Sequence, residues 1–408
     1  PSACPPGVAE EKKKTMDTNL RKAVKSIPAY VERADFVVIV APGCLHADRR
    51  DPETGLREKT CYRTYRSRGW CVLEIFASYL SRDKIHPILL VTSKNGNPEW
   101  LSSVDVLFLA VGTSMFTCCQ RNHIFGEKLV PCDRGITKNI LQTMINAKIA
   151  HLARDRHNVR VRFYFCLANW WLRTGSIPQT NNSKSIEVFK SLLLWDERDD
   201  EWTDCENIPI LFYAVVRNEI EITRSLLKSE IYPTNILNAM ISLHQHSEEF
   251  GLSSQMSILH VAVSFASVQI VQMLLESGLN SQVTDNTGND SFMIACALGR
   301  VQNIQFWLSR FPEWNLNRGN SINQAAAIHY AVFVGRKKLK TVQILVESGR
   351  VNLDALNGGG ASVLMNAVAN KDSDADVIKY LLSQKLRYGV NYRRKAQTIK
   401  WKCIYGLA

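Results

Sequence analysis

The sequence predicts two architectures joined in one chain: an α/β domain with a parallel sheet, followed by an all-α solenoid of repeated helix pairs. Three observations carry that expectation. Between residues 17 and 93, helical spacing alternates with continuous apolar runs of strand length. Beyond residue 205, a small residue returns at near-constant intervals inside similar apolar frames. No apolar run approaches the ~18 residues that a membrane span needs; the longest, VDVLFLAVG (Val104 to Gly112), is strand-sized.

Residues 1–16 (PSACPPGVAEEKKKTM) mix proline and charge without periodicity and are expected to be disordered. Pro1 in place of Met reads as the start of a fragment. From Asp17 to Arg33, Leu20, Ala23, Val24, Ile27 and Val31 keep helical spacing. DFVVIVAPG (Asp35 to Gly43) follows as a strand buried on both faces. Cys44 to Thr60 reads as a polar, charged loop, and Gly69 to Leu80 as a helix. HPILLVTS (His86 to Ser93) and VDVLFLAVG are the second and third strands. Ile136 to Ala153 is helical by the spacing of Ile140, Leu141, Met144, Ile145, Ile149 and Leu152. NVRVRFYFC alternates like a strand yet abuts helix-like LANWWLR, so both states stay open. GSIPQTNNSKS (Gly175 to Ser185) has linker composition. The resulting domains are 17–174 (α/β), 175–204 (linker and capping helix), 205–385 (repeats) and 386–408 (basic tail).

The chain has 408 residues, 46% of them hydrophobic and 22% charged, which suits a soluble globular protein. Its net charge of +12 is uneven: residues 1–180 hold 27 Lys and Arg against 16 Asp and Glu, the rest 23 against 22. A basic first half could attract anions such as nucleotides, acidic proteins or nucleic acid, but a solvated basic surface is the plainer reading and the one taken. The tail NYRRKAQTIKWKC mixes basic and aromatic residues, a pattern compatible with nucleic acid or lipid. Loose chain beyond the last repeat is the default for it, and nucleic acid is not an expected partner. Eleven cysteines without a regular framework read as reduced thiols, which places the chain in the cytoplasm, with the nucleus open.

The repeats align on ILFYA, ILHVA, SFMIA, AIHYA and VLMNA, which end at Ala214, Ala262, Ala295, Ala331 and Ala367. The last four stand 33, 36 and 36 residues apart, and residues 231–256 widen the first gap to 48. Each unit continues into a second apolar motif: RSLLKSE, QMLLESG, QFWLSRF, QILVESG and KYLLSQK. The pattern resembles the ankyrin repeat, with His260 and His329 at the family's histidine position and Gly278 and Gly349 at its terminal glycine. The physics agrees: one helix pair cannot bury its apolar face alone, Ala permits close approach, and Gly supplies a left-handed cap. The histidines are read as structural groups that hydrogen-bond neighbouring backbone. The resemblance implies a protein–protein recognition surface on the concave face and hairpin tips.

In the first half, the stretch SRGWCVLEIF places Ser67, Trp70, Cys71 and Glu74 around the start of a helix. Trp70, Leu73, Ala77 and Leu80 share its apolar face, with Glu74 beside it. A first-turn carboxylate that stabilises the helix is the plain reading. The same residues, with Ile75, resemble the signature of the TIR family, a flavodoxin-like α/β module with self-association and signalling roles. The resemblance implies, as the alternative, NAD cleavage with Glu74 as catalytic carboxylate and NAD as substrate. There a carboxylate stabilises an oxocarbenium-like ribose as nicotinamide leaves. No cofactor is otherwise implied.

CCQRNHIFGEKLVPC gathers Cys118, Cys119, His123 and Cys132, with Cys44 and His46 elsewhere. Zinc sites use such ligands at C-x2-4-C spacing, and adjacent cysteines seldom share an ion. The group is therefore read as loop thiols with no metal assigned, and Cys118, Cys119, His123 and Cys132 stand as the candidate ligands should one bind. No Walker, G-x-G-x-x-G, H-E-x-x-H or G-x-S-x-G pattern is present. The function expected is an ankyrin-repeat scaffold or adaptor with a TIR-like module.

Overall fold

VVIV and ILLV, two of the β-branched runs, lie side by side in a computed structural model of the chain. β1 (Val37–Val40) and β4 (Ile88–Val91) pair in parallel with Val37 opposite Ile88, and β5 (Glu99–Trp100) adds antiparallel to β4. Between them come an antiparallel hairpin, β2 (Cys44–Arg50) and β3 (Arg57–Thr60), and helices α1 (Tyr62–Arg66) and α2 (Gly69–Tyr79). The structure describes residues 22, 26–50, 55, 57–93, 97–120, 122–125, 128–174, 185–229, 233–243, 246–333, 338–369 and 374–394. Residues 1–16, 175–184 of the linker and 395–408 of the tail lie outside them. Residues 26–31 are helical. Among the described residues, no helix is long and apolar enough to cross a membrane.

Three expectations for this half need correction. β1 is not buried on both faces: it is an edge strand, with Ile39 buried and Val38 and Val40 exposed. Cys44–Arg50 and Arg57–Thr60 are not loop but paired antiparallel strands, which the absence of an apolar pattern does not signal. The run from Val104 to Gly112 is not a third strand. It opens with α3 (Ser103–Leu107), started by a capping box in which the Ser102 N–H donates to Asp105 Oδ2 at 3.0 Å. A short apolar run is ambiguous by periodicity, and Ser-x-x-Asp decided it locally. Its residues are still core: Leu107 and Val111 are fully buried. A 3-10 turn (Val111–Thr113), α4 (Thr117–Gln120) and the small hairpin β6 (Ile124–Phe125) and β7 (Lys128–Leu129) lead into α5 (Asp133–Arg154). α2 packs on α5, α3 and the 3-10 turn; nine of its eleven residues are buried, leaving Trp70 and Glu74 on its open side.

NVRVRFYFC joins LANWWL in one helix, α6 (Asn158–Leu172). Its Val-x-Val alternation yields to packing, since Phe163, Tyr164, Cys166, Leu167 and Trp171 are all buried on helical spacing. The chain divides into two compact units, residues 1–157 with 171–175, and residues 158–170 with 176–408. Residues 158–170, grouped with the first domain by sequence, therefore cluster with the second unit.

The second unit contains α7 (Ile186–Leu192), capped by Ser185 Oγ accepting from the Val188 N–H. Then come α8 (Ile210–Arg217) and α9 (Ile220–Lys228). The widened gap holds α10 (Thr234–Leu237), β8 (Ile241–Ser242), α11 (His246–Phe250) and β9 (Gln255–Met256). Four more helix pairs follow: α12 (Ile258–Phe265) with α13 (Val268–Glu276), α14 (Ser291–Ala297) with α15 (Val301–Arg310), α16 (Ala327–Phe333) with α17 (Lys338–Glu347), and α18 (Val363–Ala369) with α19 (Ala375–Leu382). The first helices touch in the order α8, α12, α14, α16, α18, and the second helices in the order α9, α13, α15, α17, α19. Each pair thus buries its apolar face against its neighbours.

Candidate functional site

The stretch from Ser67 to Phe76 is shaped by the reversal between α1 and α2. Ser67 Oγ donates to the Thr64 carbonyl at 2.8 Å, closing α1. The Met115 N–H donates to the Ser67 carbonyl (2.7 Å), and the Gly69 N–H to the Met115 carbonyl (3.0 Å). Gly69 is required by this close approach, since a Cβ there would lie 2.0 Å from Phe116 Cζ. Trp70 donates from Nε1 to Asp133 Oδ2 at 3.2 Å. Cys71 is buried; burial, with Glu74 adding to it against Arg68, pushes its thiol up to about 11 and makes it a poor nucleophile. Glu74 is exposed, and its Oε2 accepts the Tyr65 hydroxyl at 2.7 Å. Burial and then the Glu74 charge raise the Tyr65 phenol far above its usual value, so it stays a donor at neutral pH. Ser67, Trp70 and Cys71 are thus tied into the fold, and Glu74 is the motif residue that faces solvent.

The Cys/His group meets at the start of α5. Cys118 and Cys119 sit on α4, and Asn122 and His123 turn the chain back through left-handed conformations, φ +49° and +62°. The His123 N–H donates to the Cys118 carbonyl at 2.7 Å, and the Val130 N–H to the His123 carbonyl at 2.8 Å. Cys132 is the N-cap residue of α5. Burial pushes its thiol up, but backbone N–H groups of Arg134 and Gly135 and the neighbouring thiols bring it below its ordinary value. The Asp133 N–H points at Cys118 Sγ (3.4 Å). All four potential ligand atoms lie within 4.8 Å of one another. These residues, read from the sequence as neighbouring loop thiols, are brought to one point by the turn at His123 and the hairpin.

In the second unit, Ala214, Ala262, Ala295, Ala331 and Ala367 are all buried on the first helices, where neighbouring helices approach. Gly278 and Gly349 follow the second helices at φ +86° and +67°, the left-handed cap a side chain would strain. His260 Nδ1 accepts the Ser257 N–H at 3.1 Å, and its Nε2 meets the Asn289 carbonyl at 3.1 Å. His329 repeats this with the Ala326 N–H (3.2 Å) and the Ala355 carbonyl (3.1 Å). Nδ1 faces a donor, so both rings are neutral with the proton on Nε2, and each bridges one unit to the next.

Burial lowers His329 from 6.5 to about 4 despite those backbone bonds, and lowers His260 too. The unfolded chain therefore takes up protons first. The stability these rings contribute is present above about pH 6.5 and is lost as pH falls towards 4. The unfolding midpoint of the wild-type chain is expected to fall across that window with a slope one proton steeper than that of His329→Asn. Equal slopes in a urea titration series would contradict this assignment.

Sequence reasoning missed the residues that shape the tips before four of the five pairs. Asp204, Asp285 and Asn357 each stand ten residues before the alanine of their unit. Asp204 Oδ1 accepts the Glu206 and Ile208 N–H groups, Asp285 Oδ1 those of Thr287 and Asn289, and Asn357 Oδ1 that of Ala361. Asn320 does the same for Asn323 and Ala325 in a tip one residue longer. The periodic Asx was a readable signal. Successive tips are joined: Asn286 N–H to the Gln255 carbonyl (3.4 Å), Ser321 N–H to Thr287 (3.3 Å) and Gly358 N–H to Asn323 (2.6 Å). The side chains of Gln255, Asn286, Ser321 and Ile322 along this row are exposed. The buried Arg162, Asp199 and Asp204 network was also missed, since its members are far apart in sequence.

No protein-family model matches the chain, and no curated protein matches it.

Proposed function

We propose that the chain is a protein-binding scaffold of the ankyrin-repeat kind, with a TIR-like module in its first unit for signalling or self-association. The observation that carries this reading is the row of backbone-linked tips, which presents exposed side chains from successive units on one stiff support. Five stacked helix pairs, buried alanines and bridging histidines support the repeat assignment. The parallel β1–β4 pair, with α2 between the two strands in the chain, supports the TIR-like one. A preformed surface binds without the ordering cost that a flexible one carries.

Glu74, bonded to Tyr65 on the open side of α2, suits surface stabilisation of that helix. Nicotinamide release from NAD that disappears in Glu74→Ala would overturn that assignment in favour of NAD cleavage. The scaffold reading is tested by charge substitution. Asn286→Arg with Ile322→Arg is expected to weaken capture of the partner from cell extract at least tenfold. Gln269→Arg with Gln305→Arg, at exposed positions on second helices, is expected to leave it unchanged. Equal capture by both double variants would refute the tip row as the binding surface.

A further inference from the structure

Cys118, Cys119, His123 and Cys132 bring three sulfurs and one imidazole to a single point at the N-terminus of α5. A tetrahedral zinc ion with sulfur at about 2.3 Å and nitrogen at about 2.0 Å separates its donors by about 3.5–3.8 Å. The sulfurs of Cys119 and Cys132 stand 3.6 Å apart, already the edge of such a tetrahedron. The widest separation in the group, 4.8 Å, has to close by only about 1 Å. All three thiols are free.

Without an ion, this corner of the fold is costly. His123 Nδ1 is buried and has no hydrogen-bond partner, which leaves a desolvated polar atom uncompensated. Asn122 and His123 hold left-handed conformations in succession, a backbone that most residues with a side chain avoid. That strain aims the imidazole at the two cysteines of α4. The α5 N-terminus supplies a positive dipole end, and the Asp133 N–H is directed at Cys118 Sγ at 3.4 Å. Such N–H to sulfur contacts orient thiolate ligands around a metal.

We propose that Cys118, Cys119, His123 and Cys132 form a structural zinc site that staples α4 and the β6–β7 hairpin to the start of α5. Three soft sulfurs and one imidazole select zinc over calcium or magnesium. Four protein ligands leave no open position, so the site is structural and not catalytic. Binding releases the thiol protons to solvent. The staple extends to α2, because Asp133, next to Cys132, holds the Trp70 indole.

The test uses the full chain, purified without chelator and dialysed against metal-free buffer. Elemental analysis is expected to find about one zinc per chain. Replacement of zinc by cobalt is expected to give the visible absorption of tetrahedral cobalt with a sulfur-to-cobalt charge-transfer band. Cys132→Ser and His123→Ala are expected to lose at least tenfold in zinc per chain, and Cys205→Ser, an exposed thiol elsewhere, to retain it. If the first two variants do not fold, thiol titration of the folded wild type decides. Three thiols protected until a chelator removes the zinc support the site. Wild-type chain that takes up no zinc, zinc retained in folded Cys132→Ser, or a Cys119–Cys132 disulfide found by mass spectrometry would each overturn it.

Discussion

Arg162→Met is expected to lower the stability of the second unit by about 3–5 kcal/mol. The guanidinium is fully buried and makes four hydrogen bonds. Nε donates to the Leu193 carbonyl (2.8 Å), Nη2 to Leu194 (2.9 Å) and Asp199 Oδ2 (2.5 Å), and Nη1 to Asp199 Oδ1 (3.0 Å). Nη1 also lies 3.6 Å from Asp204 Oδ2, which accepts the Tyr213 hydroxyl at 2.6 Å, and the guanidinium stacks over Trp195 at 4.6 Å. The network clamps α6 to the segment after α7 and to the tip before α8. Methionine fills the stem but strands two buried carboxylates. Burial already raises the Asp204 carboxyl and the Arg162 charge opposes that rise, so in the variant Asp204 is protonated more readily in the fold and the deficit against wild type narrows as pH falls through the carboxylate range. Urea unfolding monitored by amide exchange on α8 and α12 measures both effects. A loss under about 1 kcal/mol would mean that the buried pair contributes no more than an exposed one.

Trp171→Ala is expected to cost the first unit a similar about 3–5 kcal/mol. The indole is fully buried, edge-on to Phe76 (5.5 Å) and Tyr79 (5.9 Å) of α2, and its Nε1 donates to the Leu107 carbonyl at 2.8 Å. Alanine would open a cavity beside α2 and leave that carbonyl unpaired. Trp171→Phe keeps most of the packing and is expected to lose only about 1–2 kcal/mol, the hydrogen bond and part of the ring. Near-equal losses for the two variants, from the first-unit transition in urea, would show that the hydrogen bond and not the packing dominates.

The second half of the fold was legible because close helix packing imposes a small residue at each crossing, and Ala262, Ala295, Ala331 and Ala367 display that requirement as a period. Their first helices, and the second helices after them, lie where the apolar motifs put them. The strands β1 and β4 and the helix α2 were legible for the same reason, as apolar runs of the right length. The failures came where a local signal competed with a run. Ser102 and Asp105 turned an apolar stretch into a helix start, and Arg162, an apparent strand residue, was recruited into a buried ion network. The Cys/His group was named from the sequence, but its spacing does not match a typical zinc motif, and the convergence of its ligand atoms is set by the fold. Here Cys132 arrives from a helix cap beyond a hairpin, and His123 is aimed by a left-handed turn. Glu74 was found by its motif, but its partner Tyr65 lies nine residues earlier on another helix, and only the fold brings it there.

The central claim is that the chain works by holding a protein on the tip row. A photo-crosslinking amino acid placed singly at Asn286 and Ile322 on the tips, and at Gln269 and Gln305 on the second helices, tests it in the intact chain. The tip positions are expected to crosslink the same protein in cell extract, with the second-helix positions crosslinking it at least tenfold less. Crosslinks to that protein from Gln269 and Gln305 but not from Asn286 and Ile322 would contradict it.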